Sequence, residues 1–296
     1  MLQGIFPVIP TLFTDDNALD LDAQRQVVQF ALNVGSHGIV FPGVASEYNF
    51  LTPEERGTLI ALVAEEVDGR IPIVGGASAA TAEDVIVAGQ QAAASGIHHL
   101  MIMAPNGLGK DLDAHRAFFA EIAKALPQAE IILQNAPTPI GAGLDDAAIT
   151  ALAAGNPSIT YIKEETLPSG PAITALLAAD IPHLKAVFGG GGARYIIDEL
   201  ARGARGAMPA VEFADLHVAI WNAHEAEDHE GARELYRLSL PLLVSQAIYR
   251  MRFTKYVLSR RQIADAQHVR APIVELDEFA KNDIDQMLED LQTAFA

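Results

Sequence analysis

Short β-branched or aromatic runs alternate along the chain with longer segments in which apolar residues recur every three or four positions. The runs are Gly4 to Ile9, Gly38 to Phe41, Ile71 to Val74, His99 to Met103, Glu130 to Leu133, Ile159 to Ile162, Leu184 to Phe188 and Gly206 to Met208. Helical spacing falls between them, over Asp22 to Val34, Pro53 to Val67, Thr81 to Ala94, Asp113 to Leu126, Asp145 to Ala153 and Ala193 to Ala201. Thr52-Pro53-Glu54-Glu55 supplies an N-cap, a proline at the first helical position and acidic residues in the first turn. Gly35, Gly69, Gly96, Gly155 and Gly203 sit just past helix ends. A β-loop-α period of roughly 25 to 35 residues, repeated eight times, predicts a (β/α)8 TIM barrel, for which about 250 residues is typical. Past about Asp215 only helical spacing remains. The expected division is a barrel core over 1–215, then the eighth barrel helix and a helical appendage over 216–296, packed on the barrel. A two-domain dinucleotide-binding fold fits less well, because no G-x-G-x-x-G follows the first run.

Composition narrows the function. The 296 residues are 50% hydrophobic, enough for a sizeable core, and carry a formal charge of -18 from 20 Lys and Arg against 38 Asp and Glu. Such a field argues against nucleic acid or an anionic membrane as partner, and an anionic substrate needs a site that is locally positive or rich in N–H donors. The absence of cysteine removes thiolate nucleophiles, disulfides and Cys-based metal sites. No apolar run reaches the ~18 residues of a membrane span and the N-terminus lacks the features of a secretory signal, so a cytoplasmic protein is expected.

In a (β/α)8 barrel the chemistry sits where the strands end. The ends are Gly43-Val-Ala-Ser-Glu47, Gln134-Asn-Ala-Pro137, Lys163-Glu-Glu165, Gly189-Gly-Gly-Gly192 and Pro209-Ala-Val-Glu212. Lys163 terminates a β-branched run. Desolvation there would favour a neutral amine able to attack a carbonyl carbon, while pairing with Glu164 or Glu165 at the rim is the alternative. YIKEE by itself fits either.

The order of motifs resembles the dihydrodipicolinate synthase and N-acetylneuraminate lyase superfamily of class I aldolases over nearly the whole chain. The matching stretches are GIFPVIPTLF, GVASE followed by LTPEER, QNAP, YIKEE, FGGGG and RGARGAMPA. The resemblance implies that Lys163 is a Schiff-base lysine, that no cofactor or metal is needed, and that the substrate is a small 2-keto acid. It also implies a homotetramer. By the same carry-over Val44, Ala45 and Ser46 form the loop that holds the keto acid carboxylate, with the Ser46 hydroxyl and backbone N–H groups as donors. Glu47 beside them is a second acidic candidate at the substrate, although in the family this residue more often anchors the loop, and Gly189, Gly190 and Met208 lie beside the substrate.

The departures matter as much. Gln134 stands where relatives carry a tyrosine whose phenol shuttles a proton during carbon–carbon cleavage, and an amide cannot titrate. With a Ser-Glu pair after the second run, this looks most like the sugar-acid dehydratase branch, that of L-2-keto-3-deoxyarabonate dehydratase. The implied reaction is loss of water to 2,5-dioxopentanoate, with Glu165 as the carboxylate that moves or positions the proton. Two alternatives stand beside it, an aldolase that cleaves the same acids to pyruvate and a barrel that binds keto acids without catalysis. His98 and His99 fall at the start of a strand, away from the catalytic face, and Arg194 is read as a loop cap in preference to a contact with a substrate carboxylate.

Overall fold

The computed structural model describes residues 1–295. Its strands are β1 (Gly4–Ile5), β2 (Ile39–Phe41), β3 (Ile73–Gly76), β4 (His99–Met103), β5 (Glu130–Asn135), β6 (Ile159–Glu164), β7 (Ala186–Gly189) and β8 (Gly206–Ala207). They are parallel and run in the order β1-β8-β7-β6-β5-β4-β3-β2. Val8, just past β1, closes the ring by bridging both Val40 and Ala210. The result is the (β/α)8 barrel that the periodicity predicts. The run Gly4 to Ile9 pairs for less of its length than expected, because Pro7 and Pro10 have no N–H for a ladder.

The barrel helices are α1 (Leu21–Asn33), α2 (Pro53–Val67), α3 (Ala82–Ala94), α4 (Leu112–Ala125), α5 (Asp146–Ala154), α6 (Ser169–Ala178), α7 (Ile196–Ala201) and α8 (Ala214–Glu225), followed by α9 (His229–Arg260) and α10 (Glu278–Phe295). Thr52 caps α2: its hydroxyl accepts the Glu55 N–H at 3.2 Å and the Glu55 carboxylate accepts the Thr52 N–H at 3.0 Å. The glycine run after β7 delays α7 by a turn, so that helix starts at Ile196 rather than Ala193.

Period-two alternation sorts the strand residues between two cores. Phe6, Val40, Val74, Met101, Ile132, Tyr161 and Phe188 point inward and fill the barrel, where Phe6 and Phe188 meet edge to face with centroids 5.6 Å apart. Their neighbours Ile5, Ile39, Ile102, Leu133, Ile162 and Val187 join the shell between sheet and helices. The long helix α9 packs against the turns after β2, β7 and β8 and so borders the mouth of the barrel. It contains Pro241 and breaks at Arg250, whose φ of 49° and ψ of -119° leave helical geometry.

Candidate active site

Inward alternation continues past the apolar layer and delivers polar groups to the mouth. On β6 the sequence Tyr161, Lys163, Glu165 keeps one face, and on β5 Ile132 is followed by Gln134, which pairs in register with Lys163. Lys163 is 4% exposed and Gln134 2%, so both polar groups depend on partners inside the protein. The Lys163 ammonium nitrogen lies 3.1 Å from Glu165 Oε1. Glu165 Oε2 accepts from Gln134 Nε2 at 2.6 Å and Oε1 from the Gly191 N–H at 3.1 Å. Burial opposes ionisation of Glu165, but Lys163, Gln134 and the Gly191 N–H outweigh it and hold the carboxyl below its usual range. Gln134 Oε1 is buried with no partner. That oxygen is an acceptor free for a ligand hydroxyl.

A pocket of about 210 Å³ opens over this trio. Its walls include Val44 and Ala45 after β2, Met208 and Ala210 after β8, Gly191 and Gly192 after β7, and Gln246, Arg250 and Thr254 from α9. A buried nucleophile candidate, a carboxylate fixed in its ionised form and an unfilled acceptor thus converge in one cleft.

The same arrangement is set in sequence context by a match to the dihydrodipicolinate synthetase family over residues 1–291. The chain belongs to that family of lyases. Among curated relatives, L-2-keto-3-deoxyarabonate dehydratase of Azospirillum brasilense is 29% identical, over 81% of this chain and 78% of its own. A probable 2-dehydro-3-deoxy-D-pentonate aldolase of Escherichia coli is 26% identical, over 97% and 96%. The fold is also that of dihydrodipicolinate synthase from Rhodopseudomonas palustris, with a TM-score of 0.89 and 23% identity over 97% of each chain.

Within this family member, the structure separates the residues singled out from sequence. Lys163, Gln134, Glu165, Ala45 and Met208 all line the pocket. Ser46 does not offer its hydroxyl there: it donates to the Ile9 carbonyl and accepts the Gly43 N–H at 2.8 Å. Only Val44 and Ala45, whose N–H groups open the turn after β2, remain as donors on that side. Glu47 also turns away. It sits in a left-handed conformation, φ 56°, and its carboxylate takes Lys255 Nζ at 2.7 Å and the N–H groups of Arg270 and Ala271 at 2.8 Å each. Gly189 and Gly190 are absent from the wall, which uses Gly191 and Gly192 instead. Their small size serves neighbouring carboxylates, since a Cβ at Gly190 would stand 2.3 Å from Glu165 Cγ and one at Gly189 would stand 1.9 Å from Glu199 Oε2.

Two further carboxyls flank the site. Glu199 and Glu212 are each pushed up to about 7 by burial, and each keeps one oxygen without a partner. Glu164, alternating outward, is held by Asn135 Nδ2 at 2.9 Å and by Thr166, with its pKa raised by burial. His99 rests against Tyr161 with centroids 6.1 Å apart, at the far end of the barrel. Arg194, read as a loop cap, lines the pocket, as do Gln246, Arg250 and Thr254, which sequence reasoning missed. Adjacency to the glycine run was the one signal for Arg194. The α9 residues lie in a segment whose pattern says only helix.

Proposed function

We propose that this protein is a Schiff-base-forming dehydratase of a 2-keto-3-deoxy sugar acid, with L-2-keto-3-deoxyarabonate as the first substrate to test. The observation that carries this reading is Gln134: it lines the pocket with Lys163, its amide donates to Glu165, and its carbonyl oxygen has no partner within the protein. The Lys163 amine attacks the C2 ketone, and loss of water gives an iminium that acidifies the C3 proton. Glu165, ionised and next to Nζ, takes that proton and leaves an enamine, which expels the C4 hydroxyl as water when Glu165 returns the proton to the leaving oxygen. Tautomerisation puts an aldehyde at C5, and hydrolysis frees Lys163 with 2,5-dioxopentanoate. Gln134 orients the C4 hydroxyl by accepting its O–H. No phenol is needed, because no carbon–carbon bond breaks.

Similarity to the Azospirillum dehydratase supports the same choice, and similarity to the Escherichia coli aldolase names the competitor. Incubation with L-2-keto-3-deoxyarabonate decides between them: 2,5-dioxopentanoate is the expected product, whereas stoichiometric pyruvate and glycolaldehyde would overturn dehydration. The substrate carboxylate is assigned to the Val44 and Ala45 N–H groups. The assembly is taken to be a cytoplasmic homotetramer, checked by light scattering for a mass four times the 31.6 kDa chain.

A further inference from the structure

Two guanidinium groups line the same pocket as Lys163, and neither has a carboxylate partner among the described residues. Arg25, Arg252, Arg260, Arg261 and Arg270 each pair with Asp or Glu, and the other arginines without such a pair, among them Arg56 and Arg70, lie outside this pocket. Arg194 folds back over the glycine turn after β7. A Cβ at Gly192 would stand 3.2 Å from its Nη1 and one at Gly191 would stand 3.7 Å from Nη2. Its bonded side-chain neighbour is neutral, Gln246 Oε1 at 3.3 Å. Arg250 arrives from the break in α9, at a positive φ that strains a residue with a side chain and persists only where the surroundings impose it. Burial works against its charge, Glu165 offsets that, and the nearby Arg194 adds repulsion. Glu165 acts on Arg250 only from a distance and forms no direct ion pair with either arginine, its oxygens being engaged by Lys163, Gln134 and the Gly191 N–H.

Two like charges held together beside an open cleft, in a protein of net charge -18, are costly unless an anion joins them. The geometry also says which anion. The N–H groups after β2 and the arginines beside the β7 turn border different parts of one mouth, with Lys163 on β6 in the same pocket. One carboxylate can occupy only one of those places. We propose that Arg194 and Arg250 bind a second carboxylate, at the end of the ligand remote from its keto acid group, so that dicarboxylic 2-keto acids enter the same pocket as the sugar acid and condense with Lys163 at lower concentration than monocarboxylic 2-keto acids of equal length that lack hydroxyl groups. The planar forks of the two guanidinium groups suit a carboxylate better than a sugar hydroxyl would suit them. This inference rests on the reading of Lys163 as the nucleophile and adds a second class of acid to the sugar acid on which it acts.

The test uses two acids of equal chain length, 2-oxoglutarate and 2-oxopentanoate, trapped on the full-length protein with borohydride and quantified by intact mass. The expected result is half-maximal trapping at roughly tenfold lower concentration for the dianion, the scale of a charge-assisted hydrogen-bond pair. In Arg194→Gln and Arg250→Gln that ratio falls toward one. Arg194 lies on a surface turn, so its variant keeps the test valid if Arg250→Gln disturbs the helix break. Equal trapping of both acids by the unaltered protein overturns the second-carboxylate site while leaving Lys163 as nucleophile. A dianion advantage that survives both substitutions also overturns it. No adduct with either acid overturns the Schiff-base reading, and this proposal with it.

Discussion

At the residue scale the site depends on which groups share Glu165. Lys163→Ala removes the proposed nucleophile, and turnover should fall roughly 10³-fold or more, with loss of the borohydride adduct and an unchanged circular dichroism spectrum. Gln134→Leu takes away one hydrogen bond that keeps Glu165 ionised. The Glu165 pKa should then rise, and the acid limb of the kcat/KM profile should move to higher pH; an unmoved limb would show that Glu165 is not the titrating base. Glu212 behaves oppositely. Burial pushes its folded carboxyl up to about 7, whereas the unfolded chain releases the proton at the ordinary value for a glutamate, 4.5. The folded state therefore binds more protons in that window, and stability drops as pH climbs through it. Glu212→Gln should remove on the order of 2–3 kcal/mol of that slope, read from urea unfolding at pH 5 and pH 8.

Lys163, Gln134 and Glu165 were legible in sequence because a strand alternates strictly and a strand end in a barrel has one destination. Ser46 and Glu47 were not, because their partners, Ile9 and the backbone of Arg270 and Ala271, lie on segments that no local pattern connects to the turn after β2. Arg250 was invisible for a different reason: one residue leaving helical geometry within a 32-residue helix decides where its side chain goes.

At the scale of elements, local chemistry was the better guide. The capping signature of α2 predicts both of the hydrogen bonds seen at Thr52. Thr52→Ala should cost about 1 kcal/mol in chemical denaturation, as loss of an N-cap does elsewhere. A cost well above that would mean that Glu55 also loses its hold on Arg270, which it meets at 2.7 Å. The strands followed hydrophobic period except at β1, where two prolines cut the ladder short. The long α9 shows the limit of the method, since its amphipathic spacing announces a helix and says nothing of the turns that it covers.

At the scale of the whole molecule, the barrel and the helices after it are joined through charge as well as apolar surface. Glu47 and Lys255 form an ion pair whose side chains are 0% exposed, and Lys255 also donates to the His268 carbonyl at 2.6 Å. Burial lowers the Lys255 pKa to about 8 against the pull of Glu47. Lys255→Met leaves a buried carboxylate without its counter-charge and should destabilise the protein by about 3–5 kcal/mol. Limited proteolysis between α9 and α10 should accelerate in that variant, because the same carboxylate holds the backbone of Arg270 and Ala271.

That tether also orders events during synthesis. A growing chain that has emitted all eight strands has closed its barrel but still lacks every partner of Glu47, which come from residues 255 to 271. The turn after β2 would have to wait, its left-handed residue unsupported, until nearly the whole polypeptide had left the ribosome. Val44 and Ala45 sit in that turn, so in a stalled or truncated chain this wall of the pocket would be left unset. The chemistry proposed for Lys163 would thereby be withheld from incomplete molecules.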